Sequence, residues 1–148
     1  MYVLISLLIS MHHTLVILTL FTIVDVGIRF ANAIPLKTLT AEEFLIQLIN
    51  HHIYNKYGYS KKITSDNGRQ FTSKLFTSFC KDQNIYFIRT SPRHPNSNGI
   101  CERFNGTISD MIKHSCMDDP SSWDEYIHKF LLYYNNSVRN GSKFRPFD

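Results

Sequence analysis

At 148 residues the chain has room for one hydrophobic core and not two. With 43% apolar, 14% aromatic and 19% charged residues it is too rich in buriable side chains for a disordered segment. Lys and Arg number 16 against 12 Asp and Glu, a net charge of +4 with a pI near 9.0, which suits a nucleic-acid partner without requiring one. Cys80, Cys101 and Cys116 are odd in number and lack CxxC spacing. No cysteine sits at zinc-site spacing from the pairs His12–His13 and His51–His52. That argues against a disulfide framework or a zinc knuckle and for free thiols in a reducing compartment.

Residues 1–24 carry no Asp, Glu, Lys or Arg, a run long enough to span a bilayer. It lacks the basic start of a secretory signal, and His12 and His13 fall at mid-depth, where imidazole is costly. The competing reading is a sheet strand over Leu15 to Val24, with the histidine pair in a turn and the residues before it a second strand or a short helix. The sheet reading is preferred. A strand follows through Ile28, Phe30 and Ile34, which share one parity, and Pro35 ends it.

Thr40 and Glu43 in TAEE form a capping-box pair. They open a helix with Phe44, Leu45, Leu48, Ile49 and Ile53 on one side, closed by Gly58. A short strand, Lys61 to Ser65, runs into the turn Asp66-Asn67-Gly68, and the helix after it buries Leu75, Phe76, Phe79 and Cys80. Ile85 to Ile88 reads as a strand, followed by the loop RTSPRHPNSNG. A long helix then carries Ile100, Phe104, Ile108, Met111, Ile112 and Ser115 on one face. The last helix starts at Pro120 with a capping box from Ser122 to Glu125 and buries Trp123, Tyr126, Ile127, Phe130, Leu131 and Tyr134. This order predicts an α/β fold, a mixed sheet with helices packed on it.

Two acids are placed for chemistry. Asp66 ends a strand, and Glu102 lies one turn into the long helix, on a polar stripe with Asn105, Gly106, Ser109 and Lys113. A strand-end aspartate and a helix-borne glutamate can converge on a divalent ion, about 4 to 7 Å apart, and hard oxygen ligands of this type hold Mg²⁺. Each signal is weak alone. Asp-Asn-Gly is usually just a turn, and Glu102 with Arg103 is usually a solvated helix face.

Taken together, four stretches resemble the catalytic core of retroviral-type integrases, and gypsy-type retrotransposon integrases most of all. They are TIVDVGIRFANAIPLKTLTAEEF, ITSDNGRQFTSKLF, SPRHPNSNGICERFNGT and the terminal SKFRPFD. The resemblance covers roughly residues 15–148, and its most specific element is the 35 positions, residues 67–101, between Asp66 and Glu102. It implies an RNase H-like fold and a polynucleotidyl transferase dependent on Mg²⁺ or Mn²⁺ that trims the 3′ ends of element DNA and joins them to target DNA. It further implies DNA as partner, homo-oligomerisation, and a place in the nucleus or cytoplasm. By position Asp66 becomes the second catalytic and metal-binding acid and Glu102 the third. Asn98, Arg103, Asn105 and Lys113 become DNA contacts. Gly106 and Ser109 stand where retroviral relatives carry lysines that hold DNA ends, a departure that weakens end-specific binding.

The family's first acid is expected between Ile5 and Met11, an interval with no Asp or Glu. Asp25 matches a non-catalytic family aspartate. The expected organisation is therefore a non-family segment over residues 1–13 and an integrase core over 14–148, C-terminally truncated. Its first strand is missing or replaced, its metal affinity weakened and its transfer chemistry impaired. A non-catalytic nucleic-acid-binding or dimerisation module, and a membrane-anchored fragment, remain the alternatives.

Overall fold

The computed structural model describes the chain except residues 1, 13–15, 37, 39, 51–57, 91–98, 116–122, 139–144 and 147–148. For residues 2–12 other than Ile5, and for 16–18, 115 and 123–125, it describes the backbone alone. The elements are β1 (Tyr2–His12), β2 (Val16–Asp25), β3 (Ala31–Leu36), α1 (Ala41–Asn50), β4 (Lys62–Ser65), α2 (Arg69–Thr72), α3 (Lys74–Asp82), β5 (Tyr86–Arg89), α4 (Gly99–Ser115) and α5 (Trp123–Asn136). One sheet of order β3-β2-β1-β4-β5 results. The pairs β1–β2 and β2–β3 are antiparallel, and β1–β4 and β4–β5 are parallel.

This arrangement explains the uncharged start of the chain. β1 is the middle strand, hydrogen-bonded on both sides, and β2 is its antiparallel neighbour, with Val3 paired to Asp25 and His12 to Val16. Strands covered on both faces read as continuous apolar runs, which hydropathy alone cannot tell from a membrane segment. Among the described residues no helix is long and apolar enough to cross a membrane. The expected strand over Leu15 to Val24 is β2, and the segment before it is a strand, not a short helix, that runs through His12, which was expected in a turn; His13 lies outside the described residues.

The sheet carries a core on each face. On one side Ile5, Phe21, Ile23, Ile34 and Ile63 pack with Phe44, Leu45 and Leu48 of α1, Phe71 of α2, and Phe76 and Cys80 of α3. On the other, Leu20, Val24, Ala31 and Ala33 pack with Cys101, Phe104, Ile108 and Ile112 of α4 and Ile127, Leu131 and Tyr134 of α5. Alternation along β2 assigns Leu20, Thr22 and Val24 to the α4 face and Phe21 and Ile23 to the other.

Several boundaries differ from expectation. β3 begins at Ala31, not Ile28, because the Asp25 carboxylate accepts the N–H groups of Gly27 (2.7 Å) and Ile28 (3.0 Å) and Arg29 takes a positive φ of 64°. The resulting turn leaves Ile28 61% exposed. Pro35 stays within the strand, paired to Leu20, which an edge strand permits because its missing N–H can face outward. The single helix expected after Asp66 is two. Ser73 adopts extended backbone (ψ 148°), ends α2 and caps α3 by accepting the Phe76 N–H at 3.1 Å. That break turns Phe71 inward and leaves Leu75 45% exposed, where burial was expected. Ile49 is likewise exposed. Thr40 accepts the Glu43 N–H at 3.2 Å, but the Glu43 carboxylate accepts from Gln47 Nε2 at 3.0 Å, so half of the first capping box forms. Ile53, the start at Pro120 and the second capping box lie outside the described residues or side chains.

Candidate active site

Asp66 is the first residue after β4, and the strand end that carries it is tightly held. The Ser65 carbonyl accepts both the Thr90 N–H (2.8 Å) and the Thr90 hydroxyl (3.0 Å), tying β4 to the end of β5. Asn67 Nδ2 donates to the Thr90 carbonyl at 3.1 Å, and Ser65 Oγ donates to the Asp66 carbonyl at 2.8 Å. The Asp66 Oδ1 accepts the Gly68 N–H at 3.0 Å, an Asx turn. A Cβ at Gly68 would meet the amide end of the flexible Gln70 side chain, which would have to swing aside. Asp66 is thus a turn residue, as the plain reading of Asp-Asn-Gly has it. One carboxylate oxygen is engaged locally and the group is half-buried.

Glu102 reaches the sheet through its neighbour. Cys101 is wholly buried and its Sγ lies 3.7 Å from Thr22 Oγ1 on β2, which seats the first turn of α4 on the sheet. Phe104, Ile108 and Ile112 bury the same side of the helix, leaving Glu102 exposed on the other. Register fixes the height of this contact. Thr22 pairs with Ser6 on β1, while Ile5 pairs with both Ile23 and Ser65. One step beyond Ser65, Asp66 is level with Thr22 and hence with the start of α4. Ile63 belongs to the core opposite α4, so alternation gives Thr64 and Asp66 the α4 face. The strand end that carries Asp66 and the Thr22–Cys101 contact that seats the start of α4 therefore lie at one level of the sheet.

The other expected site residues divide. Arg103 is exposed and folds back toward the helix start, its Nη1 3.6 Å from where a Gly99 Cβ would stand. Asn105 and Ser109 are half-buried, and Gly106 is exposed. Lys113 lies two turns or more further along α4, paired with Asp110 at 3.7 Å on an exposed surface. It is remote from the acids. Asn98 lies outside the described residues. Asp25 serves the β2–β3 turn. The Cys80 thiol sits in the opposite core, where burial pushes it up to about 11, unsuited to nucleophilic work.

Sequence reasoning missed Asn135, which looks like one more polar residue at the end of an amphipathic helix. It is buried, and its amide makes two bonds to the edge strand: Oδ1 accepts the Ala31 N–H at 2.9 Å and Nδ2 donates to the Ala31 carbonyl at 2.8 Å. These bonds fix α5, against which α4 packs. Adjacency to Tyr134, a member of the apolar stripe, was the only signal available.

Comparison with known proteins bears on this arrangement. The model of the TnsB C-terminal domain matches residues 21–117. The Tf2-3 and Tf2-4 transposon polyproteins of Schizosaccharomyces pombe (strain 972) are each 28% identical over 130 residues, 87% of this chain and 10% of theirs. The chain thus spans a tenth of the length of these curated relatives. Among solved structures, a chain of the simian T-cell lymphotropic virus intasome in complex with PP2A regulatory subunit B56 gamma superposes with a TM-score of 0.81 at 22% identity, covering 97% of this chain and 52% of that one. The HTLV-2 integrase catalytic core domain in complex with magnesium, in its trimeric form, gives 0.76 at 22%, covering 97% and 93%. The BIV integrase core gives 0.74 at 18%, covering 97% and 90%. The fold is that of integrase catalytic cores, the RNase H-like fold.

Proposed function

Because this chain belongs to the TnsB C-terminal domain family, whose function is DNA integration, and is an integrase-type core, we propose that it is the DNA-binding core of a retrotransposon integrase. Its polynucleotidyl transfer, on this reading, is impaired by loss of the first catalytic acid. What supports this reading is the 35-residue spacing of Asp66 and Glu102, together with a register that sets the end of β4 level with the Thr22–Cys101 contact at the start of α4. The middle strand beside them, YVLISLLISMH, offers no carboxylate.

The donors test the metal requirement. Asp66 has one oxygen committed to Gly68, leaving the other for a cation, and exposed Glu102 can rotate toward it. Two carboxylates balance one divalent ion such as Mg²⁺ or Mn²⁺. They do not balance the roughly four positive charges of a metal pair that activates both attacking and leaving oxygens. Among the described residues no three His, Cys, Asp or Glu side chains gather. The residues present do not fit a two-metal centre, and no transfer step is derived through one.

What these residues can do is hold DNA. Arg103 at the start of α4, with Asn105 on the same helix, supplies donors for phosphate beside the acids, and Lys113 extends the positive charge along α4. Association into dimers or higher forms, and a nuclear or cytoplasmic place, follow from the same reading. Fluorescence anisotropy with a labelled duplex tests it: affinity should fall linearly in log–log form with salt, and a strand-transfer assay with Mg²⁺ or Mn²⁺ should stay at background. No binding at low salt would sink the DNA-binding proposal. Metal-dependent joining that vanished in Glu102→Gln would sink the impairment.

A further inference from the structure

The expected interval for the missing acid, Ile5 to Met11, is seven residues wide, and strand register narrows it to one. Ile5 belongs to the core opposite α4, so the register positions of β1 on the α4 face are Ser6, Leu8 and Ser10. Ser6 pairs with Thr22, the residue against which Cys101 is seated. On its other side β1 pairs with β4 only as far as Ile5 with Ser65, so the next step sets Ser6 beside Asp66. Leu8 and Ser10 pair with Leu20 and Leu18. At roughly 3.3 Å per residue they lie about 7 and 13 Å further along the strand, past the end of β4. Adjacent strands are about 4.8 Å apart, a separation that two carboxylates sharing one cation can bridge.

We infer that Ser6 stands in the place of the missing first carboxylate, so that this single serine, not a lost or distorted strand, is what leaves the site short of donors. The inference rests on the reading of Asp66 and Glu102 as metal ligands. β1 is in the sheet, in the middle, with its full set of strand neighbours. What differs is one side chain. A neutral hydroxyl supplies one weak oxygen where a carboxylate would supply a full negative charge, and the affinity of oxygen-ligand sites rises with the number of charged ligands. The position is therefore ready for a donor that the sequence does not give it.

The test is metal binding by the full chain, without DNA. Ser6→Asp should bind Mn²⁺ at least roughly tenfold more tightly than the natural chain in isothermal titration. Its unfolding temperature should drop without metal, where three carboxylates crowd, and recover when metal is added. Both gains should disappear when Asp66→Asn or Glu102→Gln is added. Ser6→Cys is nearly isosteric and keeps the test open if the aspartate prevents folding. With Cd²⁺ it should show a thiolate-to-metal absorption band that Glu102→Gln abolishes. Leu8→Asp should gain nothing. If Leu8→Asp or Ser10→Asp gains metal through Asp66 and Glu102 while Ser6→Asp does not, the assignment of Ser6 is overturned and the two-acid site stands. If no variant yields binding that depends on both acids, the site reading falls with it.

Discussion

The two faces of the sheet are packed by different chemistry. On the α1–α3 face Phe44 is the hub of an aromatic cluster, its ring centroid 4.3 Å from Phe21, 4.9 Å from Phe71 and 5.4 Å from Phe76, all edge to face. On the α4–α5 face the apolar contacts are interrupted by buried Thr22 against Cys101 and by the two-bond amide of Asn135. Apolar packing is non-directional and holds a volume, whereas hydrogen bonds hold a position. The start of α4, which carries Glu102, is seated on this second face through Cys101. The lesson is a division of labour: one face supplies stability, and the other sets where α4, and with it Glu102, meets the sheet.

Breaking the aromatic face should cost the most. Phe44→Ala removes the hub and should lower stability by about 4 kcal/mol, read from equilibrium urea unfolding. A loss under about 2 kcal/mol would show that the neighbouring rings close over the gap. On the other face Asn135→Leu keeps the bulk but strands the Ala31 N–H and C=O, and should lower stability by about 3 kcal/mol. A neutral result would mean that apolar packing alone seats α5, and the contrast between the faces would fail.

A pH titration sharpens the comparison, because Cys80 lies in the aromatic-side core and its thiol is raised from 9.0 to about 11 by burial. Below pH 9 the thiol is neutral in both states and its contribution is fully present. Above it the unfolded thiol ionises first, so stability is lost as pH rises from 9 toward 11. The loss should reach about 1 kcal/mol by about pH 10. Cys80→Ala should flatten that part of the stability–pH curve, and an unchanged slope would show that the thiol ionises in place. The smallest effect belongs to the surface. Lys113→Ala should change stability by less than about 0.5 kcal/mol, since its pairing with Asp110 is exposed. If Lys113 touches phosphate, the salt slope of DNA binding should drop by about one.

Asp66 and Glu102 were legible because their spacing survives in a linear chain, and the apolar faces of the helices because the helical period repeats locally. The break at Ser73 was not legible. An extended residue between two helical turns is chosen by where Phe71 and Phe76 can both reach Phe44, a contact between helices distant in sequence on one face of the sheet. Ile28 misled for a similar reason. Its parity suits a strand, but the Asp25 carboxylate captures two backbone N–H groups and turns the chain before the ladder resumes.

By itself the sequence determined the fold class and the 35-residue spacing of Asp66 and Glu102, because composition, period and spacing are properties of the chain. It left residues 1–24 divided between a bilayer and a sheet, since a strand buried on both faces and a membrane segment are equally apolar. Only the tertiary structure decided that question, by pairing β1 and β2 within the sheet. The same pairing reduced seven candidate positions to Ser6, because register is a relation between strands that are distant in sequence and local pattern does not encode it.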